Sequence, residues 1–149
     1  MNFVIKRVER WIELNEYEGL IYGCVDDMDV CAHALLLDPL DWEIVAPGRM
    51  IDADFWFERS GYVTRHEHPI ERELREKGRA HYVLAGLVTE RRTNEDIVVD
   101  SVFSLRIQLD PPRGQENHTY GLTTGDWVRI EGVLKFELME HTDDVFQTK

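Results

Sequence analysis

Serine is almost missing from this chain. Ser60, Ser101 and Ser104 are its only serines, and none sits in Gly-x-Ser-x-Gly or a comparable nucleophile setting. Cysteine is scarcer still: Cys24 and Cys31 are too few for the disulfide framework of a small secreted domain, so both are expected as thiols. There is no glycine-rich phosphate loop, His-Glu-x-x-His or Cys-x-x-Cys, which removes the common sequence signs of nucleotide hydrolysis, zinc proteolysis and dithiol exchange. No apolar run approaches membrane-spanning length, and Lys6, Arg7, Glu9 and Arg10 interrupt any signal-peptide core near the start. The expectation is a soluble cytoplasmic protein with no membrane contact, no cofactor, no bound metal and no catalytic residue.

Acidic charge is plentiful. The 149 residues carry a formal net charge of −12, and their number suits one domain with a full core. The charge is uneven, because Arg59 to Arg92 holds eight of the 17 Lys and Arg residues against five acids. A basic segment therefore sits on an acidic body, and duplex DNA or RNA is expected to bind poorly.

Alternation dominates the pattern. In Gly125–Glu140, Val128, Ile130, Leu134, Phe136 and Leu138 point one way and Arg129, Glu131, Lys135 and Glu137 the other, the mark of a half-buried strand. Gly132 interrupts the apolar face, where a missing side chain marks a bend or a close backbone approach. A strand opened by Pro47-Gly48 puts Ile51, Ala53, Phe55 and Phe57 on its core face and closes at Ser60-Gly61. Ile97 to Leu109 reads as one long strand with Ile97, Val99, Phe103, Leu105, Ile107 and Leu109 inward. His81 to Thr89 is apolar on both faces, as in a central strand. Gly19–Val25 and Val30–Leu37 form a hairpin across Asp26-Asp27-Met28-Asp29, a register that sets Cys24 opposite Cys31. Phe3–Leu14 fits a helix or a strand and is read as an additional N-terminal strand, with Val4, Val8, Ile12 and Leu14 on one face. The loop Pro111–Gly125 is polar, and the tail 141–149 is expected to fray.

Pro69–Lys77 is the one predicted helix. Proline stands at its first position, helix formers follow and Gly78 lies just past its end, while Ile70 and Leu74 alone anchor it to a surface. Several strands, one short helix and further long strands, with no linker or repeat, predict a mainly β chain forming a single domain over 1–149. Its architecture is a partly or fully closed barrel with one surface helix at about 69–77. This pattern resembles the oligonucleotide/oligosaccharide-binding fold, the OB-fold, in which a helix commonly sits between the third and fourth barrel strands. The resemblance implies a fold and not an activity.

Candidate functional residues are few. His66 and His68 have a spacing that metal sites can use, and Asp52, Asp54 and Glu58 share a strand face, but both groups read as solvated surface. Asp26, Asp27 and Asp29 lack the glycine and closing glutamate of a calcium loop. Tryptophan placement is less ordinary: Trp11, Trp56 and Trp127 all fall on polar strand faces, and Arg129 lies on the face of Trp127. Indole with a polar surround suits a binding surface. Trp42 is expected to anchor a loop. The sequence therefore predicts a non-catalytic binding or adaptor module whose partner is a protein, met through Trp11, Trp56, Trp127 and Arg129. A single-stranded nucleic-acid-binding protein and a small metal-dependent hydrolase are the alternatives.

Overall fold

The computed structural model describes residues 1–11, 13, 15–93, 95–110 and 120–138. Residues 111–119 of the expected polar loop, the tail 141–149, Ile12, Leu14 and Glu140 lie outside the described residues. The chain is mainly β, as its alternation predicts. Among the described residues there are β1 (Asn2–Arg10), β2 (Glu18–Val25), β3 (Met28–Leu35), β4 (Met50–His66), β5 (Glu73–Gly78), β6 (His81–Arg91), β7 (Asp96–Asp100), β8 (Ser104–Gln108) and β9 (Trp127–Leu138). A short 3-10 helix, Pro39–Glu43, is capped by the Asp38 carboxylate, which accepts from Leu40 N. The strands belong to two compact units, Met1–Phe55 with Lys135–Lys149, and Trp56–Leu134. β4 and β9 each run through both, so the chain changes unit inside a strand and no linker composition marks the boundary.

In the first unit the order is β4–β1–β2–β3–β9, with β3–β9 parallel and β4–β1, β1–β2 and β2–β3 antiparallel. β4 and β9 are themselves neighbours, so the order returns to its start; eight strands of the chain make a nearly closed ring, compatible with a barrel-like fold. Inside lie Phe3, Ile5, Ile21, Val30, Ile51, Phe55 and Phe136, all buried. Phe3 meets Phe55 edge-on with centroids 5.2 Å apart, and Phe55 meets Phe136 at 5.9 Å. Each such side chain contributes about 1.5–3 kcal/mol by leaving water.

Two expectations fail here. The N-terminal segment is a strand, but Phe3 and Ile5 face the core and Val4 is 37% exposed. A register shift between Ile5 and Arg7 inserts one residue, so the inward parity changes along β1 and the common face read through Val4 and Val8 does not exist. The β2–β3 turn is two residues long, with Asp26 and Asp27 both at positive φ (48° and 67°) and Val25 opposite Met28. Aspartate tolerates this conformation better than most residues. Cys24 consequently pairs with Asp29, and Cys31 with Tyr22, so the two cysteines are not opposite each other.

The second unit has the order β4–β8–β7–β6–β9, again returning through the β4–β9 neighbourhood, with β5 added along β6. Phe57, Leu84, Ile97, Leu105, Ile107, Val128, Ile130 and Leu134 fill it. Gly132 provides the expected close approach. A methyl group there would fall on the Glu58 carbonyl oxygen and 2.6 Å from the Phe57 ring.

The predicted helix at 69–77 is absent. Glu73–Gly78 pairs with β6 from Ala85 to His81, turning through Arg79-Ala80 with Ala80 at φ 62°. A helix of this length with two apolar anchors is marginal. Strand pairing instead buries Leu74 opposite Leu84 and leaves the remaining side chains, all charged, on an edge that resists further pairing. The segment on which the OB-fold resemblance placed its helix is therefore strand. Ser60-Gly61 does not end β4, which continues to His66; Gly61 makes room for the Glu131 side chain, 2.8 Å from where a Cβ would stand. The long strand 97–109 is a hairpin of β7 and β8 across Ser101–Phe103, and Phe103 at the turn is only half-buried. Its connection has an odd number of residues, so Ile97 opposite Ile107 and Val99 opposite Leu105 keep one unbroken alternation through the turn.

Candidate functional site

The outward face of the first unit carries the most organised polar group. Pairing sets Glu18 beside Leu35 and His33 beside Lys135. Lys135 Nζ lies 2.7 Å from His33 Nδ1, and His33 Nε2 lies 2.9 Å from Glu18 Oε1. An ammonium can only donate, so Nδ1 accepts and the ring proton sits on Nε2, directed at the Glu18 carboxylate. Asn15 Nδ2 donates to the second Glu18 oxygen at 2.7 Å. Trp11, just past β1, donates its backbone N–H to Glu18 O at 3.0 Å and stacks on the imidazole at 5.2 Å and 23°. Both ring nitrogens are engaged and one ring face is covered, so the chain of contacts acts as a brace that fixes Trp11.

Beside this brace the chain turns a corner rich in leucine. Leu35 ends β3 at 59% exposure, Leu37 is 96% exposed and Leu40, on the 3-10 helix, 68%. Between them Leu36 is buried, its N–H donating to Tyr17 O at 2.8 Å. Tyr17 is itself 39% exposed. Below the corner Trp42 is buried as the expected anchor, and its indole N–H donates to Glu16 O at 2.9 Å. The sequence held one sign of this surface: Leu35-Leu36-Leu37 leaves a strand with three consecutive leucines, and alternation cannot bury all three on one face.

Trp56 and Trp127 lie in the second unit and are half-buried on the polar faces expected of them. Arg106, opposite Trp56 in the β4–β8 register, holds its guanidinium 5.2 Å from the indole centroid. Arg72 stands 5.0 Å from Trp127 and also pairs with Asp100 at 3.3 Å. Arg129 shares the outward face of β9 with Trp127 and is half-buried. Trp11 belongs to the first unit, with His33 and Glu18 as its neighbours. Cation–π pairs of this kind contribute about 0.5–1 kcal/mol each at exposed sites. They also occupy an indole face.

His66 is half-buried at the end of β4 and His68 exposed; Asp52 pairs with the Met1 ammonium at 2.7 Å, and Asp54 is exposed. Among the described residues no group of three or more His, Cys, Asp or Glu could hold a metal ion. Lys6, Cys24 and Asp29 form a surface cluster in the first unit: Lys6 Nζ lies 3.0 Å from Asp29 Oδ1, and the Cys24 thiol donates to the same oxygen at 2.9 Å. The thiol and then the ammonium hold the Asp29 carboxyl below its usual 3.8, and Asp29 with Cys24 raises Lys6 above 10.5. Tyr22 is raised above 10.0, first by burial and then by Cys31.

The chain matches no protein-family model, no curated protein and no solved structure.

Proposed function

We propose that the chain is a non-catalytic, OB-like binding module that docks another protein on the leucine corner of its first unit. The observation that carries this reading is the exposure of three leucines within six residues: Leu35 at the end of β3, Leu37 in the connection after it and Leu40 on the 3-10 helix. Neighbouring apolar side chains left in water mark interaction sites more often than a scattered exposed leucine does. The braced Trp11 and the half-exposed Tyr17 add aromatic anchors of the kind that dominate protein interfaces. Nucleic-acid binding would use open aromatic faces as stacking platforms. The guanidinium groups over Trp56 and Trp127 count against it.

The test compares wild type with Leu37→Asp in affinity capture beside thermal melts. Loss of the captured partner with an unchanged melt is the expected result, because Leu37 makes almost no contact within its own fold. Equal capture by both proteins would end the docking proposal.

A further inference from the structure

The partner chemistry follows from the setting of the corner, given the docking reading above. From Trp11 to Gly48 the chain carries nine Asp and Glu residues and not one Lys or Arg. This stretch supplies β2, β3, the 3-10 helix and the exposed leucines themselves. The first unit as a whole holds 16 of the 29 acids and six of the 17 Lys and Arg residues. Glu16, Asp38 and Glu43 are exposed on the segments that meet at this corner, where Tyr17 O accepts from Leu36 N and Glu16 O from the Trp42 indole; Arg10 is a cation that also reaches it, its guanidinium 5.4 Å from the Trp42 ring. An apolar patch with an acidic rim attracts cations and repels acidic segments and anionic lipid surfaces alike.

We infer that the corner takes a short basic segment of another protein, with leucine-like side chains covering Leu35, Leu37 and Leu40 and Lys or Arg side chains meeting Glu16, Asp38 and Glu43. The apolar contacts supply burial, and the charges supply partner choice and speed of encounter. The guanidinium and ammonium groups remain at the rim, where they keep most of their hydration. Binding is accordingly salt-sensitive, falling as ionic strength screens the rim.

Fluorescence anisotropy on the full chain tests this with three labelled peptides of one leucine spacing, bearing arginine, serine or glutamate between the leucines. The arginine peptide is expected to bind about tenfold or more tighter than the serine peptide, and the glutamate peptide weakest, with the order compressing at high salt. Leu37→Ser should weaken the arginine peptide about tenfold, as loss of one leucine contact implies. Glu43→Lys should weaken it by a smaller factor and narrow the gap between peptides. Both substituted side chains are exposed, and matching circular dichroism melts confirm that the variants fold. Leu37-dependent binding with no charge order would overturn the basic-segment inference while leaving the docking corner standing. Binding of every peptide unaffected by Leu37→Ser, or no binding of the arginine peptide at about 1 mM, would overturn both. Self-association of the chain that Leu37→Ser abolishes would also overturn the inference, since the occupant would then be a second copy.

Discussion

Replacing Gly132 by alanine sets the backbone of β9 against that of β4. The added carbon would lie 2.6 Å from Phe57 Cε2 and 2.9 Å from the Glu58 carbonyl carbon, where ordinary contact begins at 3.4 Å. The strand or the ring must therefore move by most of an ångström within the core. Overpacking of this kind costs about 1–3 kcal/mol, against a gain of about 0.4–1 kcal/mol from stiffening the unfolded chain. A net loss of about 1–2 kcal/mol follows, which lowers a urea midpoint by about 0.5–1 M at a slope near 2 kcal/mol/M. Gly78→Ala is the matched control: nothing lies within 4 Å of its added carbon and its φ is not left-handed, so it should be neutral or slightly stabilising. Equilibrium unfolding should be followed by tryptophan fluorescence and by far-ultraviolet dichroism together, since coincident curves are needed before one free energy describes both units. If Gly132→Ala lies within about 0.5 kcal/mol of wild type, or matches Gly78→Ala, the close approach at Gly132 is refuted.

Phe136→Ala should cost about 3–5 kcal/mol, because the ring is buried against Phe3 and Phe55, whereas Phe103→Ala at the β7–β8 turn should cost clearly less; equal losses in urea titrations would contradict the hairpin. Under native conditions iodoacetamide should label half-exposed Cys24 and spare buried Cys31 until denaturant is added, and mass spectrometry showing equal native labelling would refute the register. Asp29, lowered in the folded state, should contribute stability above pH 3.8 that is lost as pH falls through its folded value. Lys6, raised, contributes below pH 10.5 and loses that contribution as pH rises through its own folded value. A carboxyl-carbon titration by nuclear magnetic resonance giving Asp29 a midpoint at or above 3.8 would exclude the Cys24–Asp29–Lys6 cluster.

Strand identity was legible wherever one face met water and the other a core. β9 and the first half of β4 are the clearest cases, and Val128, Ile130, Ile51 and Phe55 are buried as their spacing predicts. Connections were not, because period-two patterns carry no sign of a turn that preserves parity, as at Ser101–Phe103, or of a single inserted residue, as between Ile5 and Arg7. Glu73–Gly78 was misread for a different reason: its helix-forming residues state a local preference, and pairing with β6 overrides it. Trp56 and Trp127 could be assigned to polar strand faces, but their neighbours could not, and Trp11 stands past the end of β1 and so on no strand face. Lys135 reaches His33 across 102 residues of sequence, and no spacing rule anticipates that.

Trp56–Leu134 forms its unit from one uninterrupted stretch, while the other unit waits for Lys135 to complete it. During synthesis the leucines at 35, 37 and 40 thus leave the ribosome long before the lysine that steadies His33 beneath Trp11. Ring closure over so long a loop is slow, and exposed leucines on an unfinished sheet invite premature association. The nine acids between Trp11 and Gly48, with no Lys or Arg among them, supply charge repulsion between nascent chains throughout that interval.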